Sequence, residues 1–141
     1  VLLADASRGF YVSDPYSGGG CVRLADYDRE VNNIGTATIK RGMAVAQDGA
    51  RVRARVATSA DPAWRIIGIA LEDIIPGAAG RVRGRGALID TNDVLFDGSP
   101  SVAEGDVFSV SASVAGALVE GAAIPVLRAV WTNGYVAFEV L

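Results

Sequence analysis

The sequence predicts an all-β fold: a small β-barrel or β-sandwich of short antiparallel strands, preceded by an extended N-terminal arm. Seventeen glycines among 141 residues disfavour long helices and favour short strands joined by tight turns. Asn133-Gly134 and Asp48-Gly49 each separate two apolar-rich runs, which predicts two β-hairpins. A chain of this length can bury one sizeable core, so a single β-rich domain is expected over residues 34–141.

Residues 1–33 differ in composition from the rest of the chain. They contain the loop-like run SDPYSGGGC, followed by LADYDREVNN, which could form at most a short helix. We therefore expect residues 1–33 to be an arm that gains order from a neighbouring molecule. The alternative is an edge strand with loops that belong to the same domain.

The first predicted hairpin joins MAVAQ to ARVRARV across Asp48-Gly49. Alternation in the returning strand places apolar or small side chains on one face and arginines on the other. The apolar face would hold Val52, Ala54 and Val56, and the charged face Arg51, Arg53 and Arg55.

The next run, WRIIGIALEDII, is apolar throughout and predicts a strand that is buried on both faces. A helix is the alternative, but three isoleucines and an internal glycine favour a strand. Pro76-Gly77 then predicts a turn into GRVRGRG, whose three arginines, Arg81, Arg83 and Arg85, would share one strand face.

Two further strand regions complete the domain. One alternates apolar or small residues with serines, so the serines are expected on the polar face; the two sets are Phe108, Val110 and Ala112, and Ser109, Ser111 and Ser113. The last hairpin would pair Val130–Thr132 with Tyr135–Phe138 around a type I′ turn, which needs positive φ at Asn133 and Gly134. A charged residue and a glycine precede several strands, which predicts left-handed residues at Gly42, Gly105 and Gly121.

Charge is unevenly distributed along the chain. The net charge is −3, but residues 40–85 carry nine basic and four acidic residues, whereas residues 86–141 carry one basic and seven acidic residues. This division favours packing against copies of the same chain or against a large charged surface. The alternative is that both regions are solvated faces. The acidic balance does not indicate a general nucleic-acid binder.

The arginine-rich stretch does not match a phosphate-binding loop. GRVRGRG lacks the glycine order of a dinucleotide loop, and neither a P-loop motif nor a clear helix follows it. Solvated strand faces or a protein–protein contact remain, with nucleic acid as a minor alternative because no aromatic residues interleave with the arginines. We expect the arginines to meet carboxylates, from this chain or a neighbouring copy. The candidate interface residues are Arg51, Arg53, Arg55, Arg81, Arg83, Arg85, Tyr11 and Tyr16.

Side chains for common catalytic and metal chemistry are scarce. The chain has no histidine, and Cys21 is its only cysteine, so neither a disulfide within the chain nor a zinc site is expected. Asp90, Asp93 and Asp97 resemble a calcium loop only loosely, and a polar turn is the preferred interpretation. The adjacent Glu72-Asp73 would face opposite sides of a strand. We therefore expect no enzyme, no catalytic residues, no metal and no cofactor.

Neither a membrane segment nor a secretory signal is predicted. No apolar run approaches the ~18 residues of a membrane span. The first residues, VLLADASRGF, lack the basic start of a signal peptide. We therefore expect no membrane partner.

Three motifs carry a family resemblance: IKRGMAV, RIIGIALEDIIPGAAGRVRGRG and AEGDVFSV. Over residues 36–141 their spacing and turn types resemble the small capsid decoration (cement) proteins of tailed bacteriophages. The resemblance implies a structural protein of the virion on the outer capsid surface. It also implies a homo-oligomer, with a trimer favoured, that binds the major capsid protein and bridges capsid subunits. An N-terminal arm could clamp a neighbour by adding a strand.

An alternative function is a host- or glycan-binding module of a phage head fibre, spike or tail. Trp131, Asn133 and Tyr135 at the last hairpin could bind a glycan if their side chains are exposed. Cross-strand packing of Trp131 and Tyr135 is the simpler expectation.

Overall fold

The fold was examined in a computed structural model that describes residues 28–50 and 52–141. It contains ten short strands and two single-turn 3-10 helices, at Ala63–Arg65 and Thr91–Asp93. The strands are β1 (Asp28–Asn33), β2 (Ala44–Gln47), β3 (Arg53–Val56), β4 (Ile66–Ala70), β5 (Ala79–Gly84), β6 (Leu88–Ile89), β7 (Val107–Val110), β8 (Leu118–Glu120), β9 (Pro125–Thr132) and β10 (Tyr135–Val140).

The strands form a closed five-stranded barrel and a second five-stranded sheet. The barrel order is β1-β3-β2-β4-β5, and β1 closes it by pairing parallel to β3 and antiparallel to β5. The second sheet has the order β6-β10-β9-β7-β8 with antiparallel pairing throughout. The predicted all-β class is confirmed.

The molecule has two hydrophobic cores. One fills the barrel and includes Val31, Val45 and Val82. The other lies between the barrel wall and the second sheet, where Phe108 and Phe138 pack edge to face with ring centroids 5.2 Å apart.

Strand β4 contributes to both cores, and a β-bulge changes which of its residues face each core. All five of its residues are buried, as predicted for the IIGIA run. Ile67 and Ala70 belong to the barrel core, whereas Ile66 and Ile69 belong to the core shared with the second sheet. The three-residue spacing within each pair departs from strict alternation, and the register against β2 shifts at this point.

The glycine at this bulge is required by close backbone packing. A Cβ at Gly68 would lie 2.0 Å from the carbonyl oxygen of Arg83 on β5. Strands β4 and β5 can therefore approach each other only when position 68 lacks a side chain.

Both predicted hairpins are confirmed. Strands β9 and β10 pair antiparallel around Asn133 and Gly134, whose φ angles of 49° and 87° fit the type I′ turn. Strands β2 and β3 pair around the Asp48-Gly49 turn, with Gly49 at φ 86°. The predicted left-handed glycines also have positive φ, at Gly42, Gly105 and Gly121.

The predicted boundary of the N-terminal arm is corrected at residues 28–33. This stretch is barrel strand β1, neither an arm nor a short helix. Val31 and Asn33 are buried, and the Asn33 amide donates to the carbonyls of Ala37 (2.9 Å) and Ile74 (2.8 Å). The remainder of the predicted arm, residues 1–27, lies outside the described residues.

The predicted serine face on β7 is wrong, because Ser109 and Ser111 are buried while Ala112 is exposed. The Ser109 hydroxyl donates to the carbonyl of Gly121 at 2.8 Å, and the Ser111 hydroxyl donates to Asp97 at 2.6 Å. Hydrogen bonding offsets the cost of burying a hydroxyl, so a serine is tolerated on a buried face.

The predicted apolar face of the ARVRARV run is only partly present. Ala54 is fully buried, Val56 is half-buried, and Val52 is exposed in the turn before β3. The strand begins at Arg53, so its alternation does not extend to Val52.

Candidate functional site

Strand β1 separates the two arginine-bearing strands of the barrel. On β5, exposed Arg81 and half-buried Arg83 alternate with the buried residues Gly80, Val82 and Gly84, as predicted. The prediction is wrong for Arg85, which lies in the turn after β5 and not on the strand face. The arginines of β3 do not lie beside them, because β1 lies between β3 and β5. The arginines of β3 and those of β5 therefore do not form one continuous charged face.

Acidic residues of β1 face the arginines of β5. Asp28 is the cross-strand partner of Arg83, and Glu30 is the partner of Arg81. The Nε of Arg83 lies 3.0 Å from Oδ1 of Asp28. Because opposite charges directly across an antiparallel pair are favourable, this pairing helps to close the barrel.

Arg81 has a second acidic neighbour in the β4–β5 turn. Its backbone N–H donates to Glu72 at 2.9 Å, and its Nε lies 3.9 Å from the same carboxylate. Asp73 accepts instead from the backbone N–H of Arg41 at 2.8 Å. Glu72 and Asp73 thus have separate partners. They lie in a turn, however, and not on a strand as the sequence predicted.

The most buried ion pair joins Arg55 to Asp61. Two guanidinium nitrogens of Arg55 donate to the two Asp61 oxygens at 2.9 and 2.6 Å. The Asp61 carboxylate also accepts from the backbone N–H of Thr58 at 2.8 Å. The Arg55 hydrogen bonds, with a smaller contribution from Thr58, lower the pKa of Asp61 despite its burial. The same pairing raises the pKa of Arg55.

Arg85 contacts backbone and not a carboxylate. Its guanidinium donates to the carbonyls of Ala63 (2.7 Å), the first residue of the 3-10 helix, and Ile66 (3.1 Å), the first residue of β4. Among the described residues, the expected carboxylate partners are present for Arg55, Arg81 and Arg83, whereas the contacts of Arg85 are with backbone carbonyls. Among residues 28–50 and 52–141, no carboxylate lies within 4.0 Å of the Arg53 guanidinium.

The acids that meet these arginines lie between residues 28 and 72. They are Asp28, Asp48, Asp61 and Glu72. The acidic region of residues 86–141 supplies none of these acids. The ion pairs therefore join parts of the barrel and its turns to one another. Three of the predicted interface residues, Arg51, Tyr11 and Tyr16, lie outside the described residues.

The three aspartates of the DTNDVLFD segment have separate structural roles. Asp90 accepts from the backbone N–H of Asn92 at 2.9 Å and caps the second 3-10 helix. Asp93 pairs with Arg41, and Asp97 accepts from Ser111. Within the described ranges, no group of three or more acidic or cysteine side chains could hold a metal ion.

The aromatic residues of the last hairpin are exposed but do not form one surface. Trp131 is 60% exposed and Tyr135 is 50% exposed. Trp131 is paired with Val136, whereas Tyr135 is paired with Thr132. Because cross-strand partners share a face and neighbours along a strand alternate, the two rings lie on opposite faces of the hairpin. A glycan could not stack on both at once.

Another exposed aromatic residue lies beside a depression at the β2–β3 turn. Trp64 is 71% exposed, the highest value among the exposed large apolar residues of the described chain. Together with Gln47, Asp48, Gly49 and Arg65 it lines a depression of about 220 Å³. The sequence interpretation identified no site at these residues. The sequence did contain one signal for an exposed ring, the Asp61-Pro62 turn shortly before Trp64. A side chain that follows such a turn can project away from the strands.

Neither protein-family models nor curated proteins give a match to this chain. In the part of the chain that the structure describes, no helix is long and apolar enough to span a bilayer.

Proposed function

We propose that this protein is a capsid decoration (cement) protein of a tailed phage, which binds the outer surface of the head and bridges capsid subunits. In this role it associates with the major capsid protein and with copies of itself, with a trimer favoured. No catalytic step and no cofactor is required.

The observation that carries the proposal is the set of large apolar side chains exposed on a β-scaffold. Eight large apolar side chains are exposed in the described chain: Ile34, Val52, Trp64, Ile75, Leu88, Val114, Trp131 and Tyr135. Most of them lie in turns and at strand ends instead of lining a cavity. Such surfaces suit contact with other proteins over several sites, and weak contacts on a repetitive shell add up through avidity.

The turns behind the family resemblance also support the proposal. Gly42 in IKRGMAV and Gly105 in AEGDVFSV have φ angles of 90° and 92°, and Gly77 in the Pro76-Gly77 turn has φ 84°. The motifs therefore correspond to real turns before β2, β5 and β7. Turns of this kind occur in many β-proteins, so the exposed apolar side chains remain the main argument.

The glycan-binding alternative is less well supported at the last hairpin. Trp131 and Tyr135 face opposite sides, as the β9–β10 register requires. One ring at most could contact a sugar there.

Binding to phage heads tests the proposal directly. The purified full-length chain is mixed with expanded, undecorated heads from several tailed phages and sedimented. Saturable binding to at least one type of head, at a fixed ratio to capsid subunits, is the expected result. Light scattering after size exclusion gives the oligomeric state of the free protein.

A double variant locates the contact. Trp131→Ser with Tyr135→Ser should weaken binding to heads, because it removes apolar surface without touching either core. Asn92→Ser, at an exposed position of the second 3-10 helix, serves as the control and should bind like the natural chain. If the protein binds no head and stays monomeric at high concentration, the decoration function is wrong.

A further inference from the structure

We propose that the depression beside Trp64 is a binding site for one neutral pyranose ring of a polysaccharide. The proposal concerns a surface at the β2–β3 end of the barrel and does not depend on capsid binding. This site is different from the glycan site that was considered at Trp131, Asn133 and Tyr135 of the last hairpin.

The first argument is the exposed indole on a fixed platform. Trp64 is 71% exposed and is the central residue of the 3-10 helix Ala63–Arg65. Arg85 donates to the carbonyls of Ala63 and Ile66, on either side of Trp64 and Arg65. These bonds anchor the backbone on both sides of Trp64, so the segment that presents the ring to solvent is fixed to β5 through Arg85.

The second argument is the orientation of the ring itself. The guanidinium carbon of Arg65 lies 5.0 Å from the centroid of the Trp64 ring. This cation–π contact favours the observed orientation of the indole, and the large exposed fraction of the side chain leaves ring surface for a ligand. The C–H groups on one face of a pyranose ring pack well against such an aromatic surface.

The third argument is the set of polar groups around the depression. The Gln47 amide nitrogen donates to the carbonyl of Gly49 at 3.0 Å, which orients the side chain and leaves its carbonyl oxygen as an acceptor. One oxygen of Asp48 lies 3.5 Å from Nε of Arg55, and the side chain remains 46% exposed. An amide, a carboxylate and the Arg65 guanidinium are suited to bind neighbouring hydroxyl groups.

Size and charge select the class of ligand. The depression of about 220 Å³ is smaller than the pockets of about 300–1,000 Å³ that hold drug-sized molecules, so one sugar ring fits better than a larger ligand. Asp48 and Arg65 bring opposite charges to the same depression. A neutral ring that both donates and accepts hydrogen bonds satisfies both groups, whereas an anion would face the Asp48 carboxylate.

Saturation-transfer NMR tests the site with simple probes. The methyl glycosides of glucose, galactose, mannose and N-acetylglucosamine are each added to the full-length Trp131→Phe variant, in which Trp64 is the only tryptophan. We expect transfer to the ring protons of at least one glycoside, with a dissociation constant of about 1 mM, and a change in Trp64 fluorescence over the same range.

Two variants assign the binding to the depression. Trp64→Ala should weaken binding at least about tenfold, because it removes the stacking surface, and Asp48→Asn should weaken it less. Trp131→Ala is the matched control, with another exposed tryptophan removed, and should bind like the natural chain. Circular dichroism and urea midpoints show that each variant is folded.

Three outcomes would overturn the proposal. The first is the absence of transfer with all four glycosides, and the second is transfer that persists in Trp64→Ala. The third is a change of oligomeric state in Trp64→Ala without any saccharide binding, which would assign the exposed ring to protein contact. Failure of head binding in the sedimentation experiment would leave the saccharide result unaffected.

Discussion

At the scale of single residues, Asp61 shows how the barrel accommodates a nearly buried charge. Its side chain is 5% exposed, and its oxygens accept hydrogen bonds from the Arg55 guanidinium and the Thr58 backbone. A charge in this position is stable only because its partners replace the lost water. The paired arginines of the barrel strands therefore stabilise the barrel itself, independently of any contact with other molecules.

We expect Asp61→Asn to lower the free energy of unfolding by about 2 kcal/mol, because Arg55 loses its main anionic partner while staying largely buried. Urea unfolding measures the change. Asp93→Asn is the control, since it breaks the more exposed pair with Arg41 and should cost less than about 1 kcal/mol. Equal losses in the two variants would contradict this account.

The same carboxylate predicts how stability depends on pH. The folded-state pKa of Asp61 is lowered, chiefly by the Arg55 hydrogen bonds, so the unfolded chain binds more protons between the two pKa values. This contribution is fully present above the ordinary pKa of an unfolded aspartate, about 3.9. It is lost as the pH falls through the lower folded-state pKa. Urea midpoints of the natural chain should therefore fall more steeply below pH 4 than those of Asp61→Asn.

At the scale of elements, the bulge in β4 decides how the two cores are built. Because Ile67 and Ala70 face the barrel while Ile66 and Ile69 face the second sheet, one short strand contributes to both cores. A strand with strict alternation would place Ile67 and Ile69 on the same face. Gly68 permits this arrangement, since β5 backbone occupies the space of a side chain.

We expect Gly68→Ala to destabilise the fold by about 4 kcal/mol, because the new Cβ would collide with the Arg83 carbonyl. Gly77→Ala provides the matched control. It also has positive φ, 84°, but a Cβ there would meet no atom within 4 Å, so its cost should be about 1 kcal/mol. Thermal and urea unfolding compare the two. Similar losses would show that the close approach of β4 and β5 is not what requires glycine.

At the scale of the whole molecule, the barrel and the second sheet share a core and should unfold together. Barrel residues such as Ala46 and Ile69 belong to the same buried cluster as Phe108, Leu127 and Phe138 of the sheet. Neither part can expose this surface without leaving the other partly uncovered. The structure therefore predicts one cooperative unit instead of two.

Hydrogen exchange tests this prediction. The slowest amides of β5 in the barrel and β9 in the sheet should give the same free energy of opening. Phe108→Ala should lower both by about 3–5 kcal/mol, since it leaves a cavity in the shared core. Val82→Ala, within the barrel core, is a comparison that should also lower both. A loss confined to one sheet would show that the two parts unfold independently.

The sequence by itself determined the local features of this protein. The turns at Asn133-Gly134 and Asp48-Gly49, the buried IIGIA strand and the alternation of Arg81 and Arg83 follow from φ preferences and side-chain polarity within a few residues. These signals are local, so they could be interpreted without knowing which strands pair.

Only the tertiary structure decided what the strands meet. β1, which composition assigned to an arm, is held in the barrel by backbone pairing and by partners far along the chain, such as Arg83 for Asp28. Ser109 and Ser111 can be buried because the Gly121 carbonyl and the Asp97 carboxylate accept hydrogen bonds from their hydroxyl groups. The Trp64 depression likewise joins the β2–β3 turn to the segment before β4. Contacts between distant segments leave no local periodicity. The sequence could therefore predict neither the closing strand nor the position of Trp64 beside the β2–β3 turn, although the Asp61-Pro62 turn was a local signal for an exposed ring.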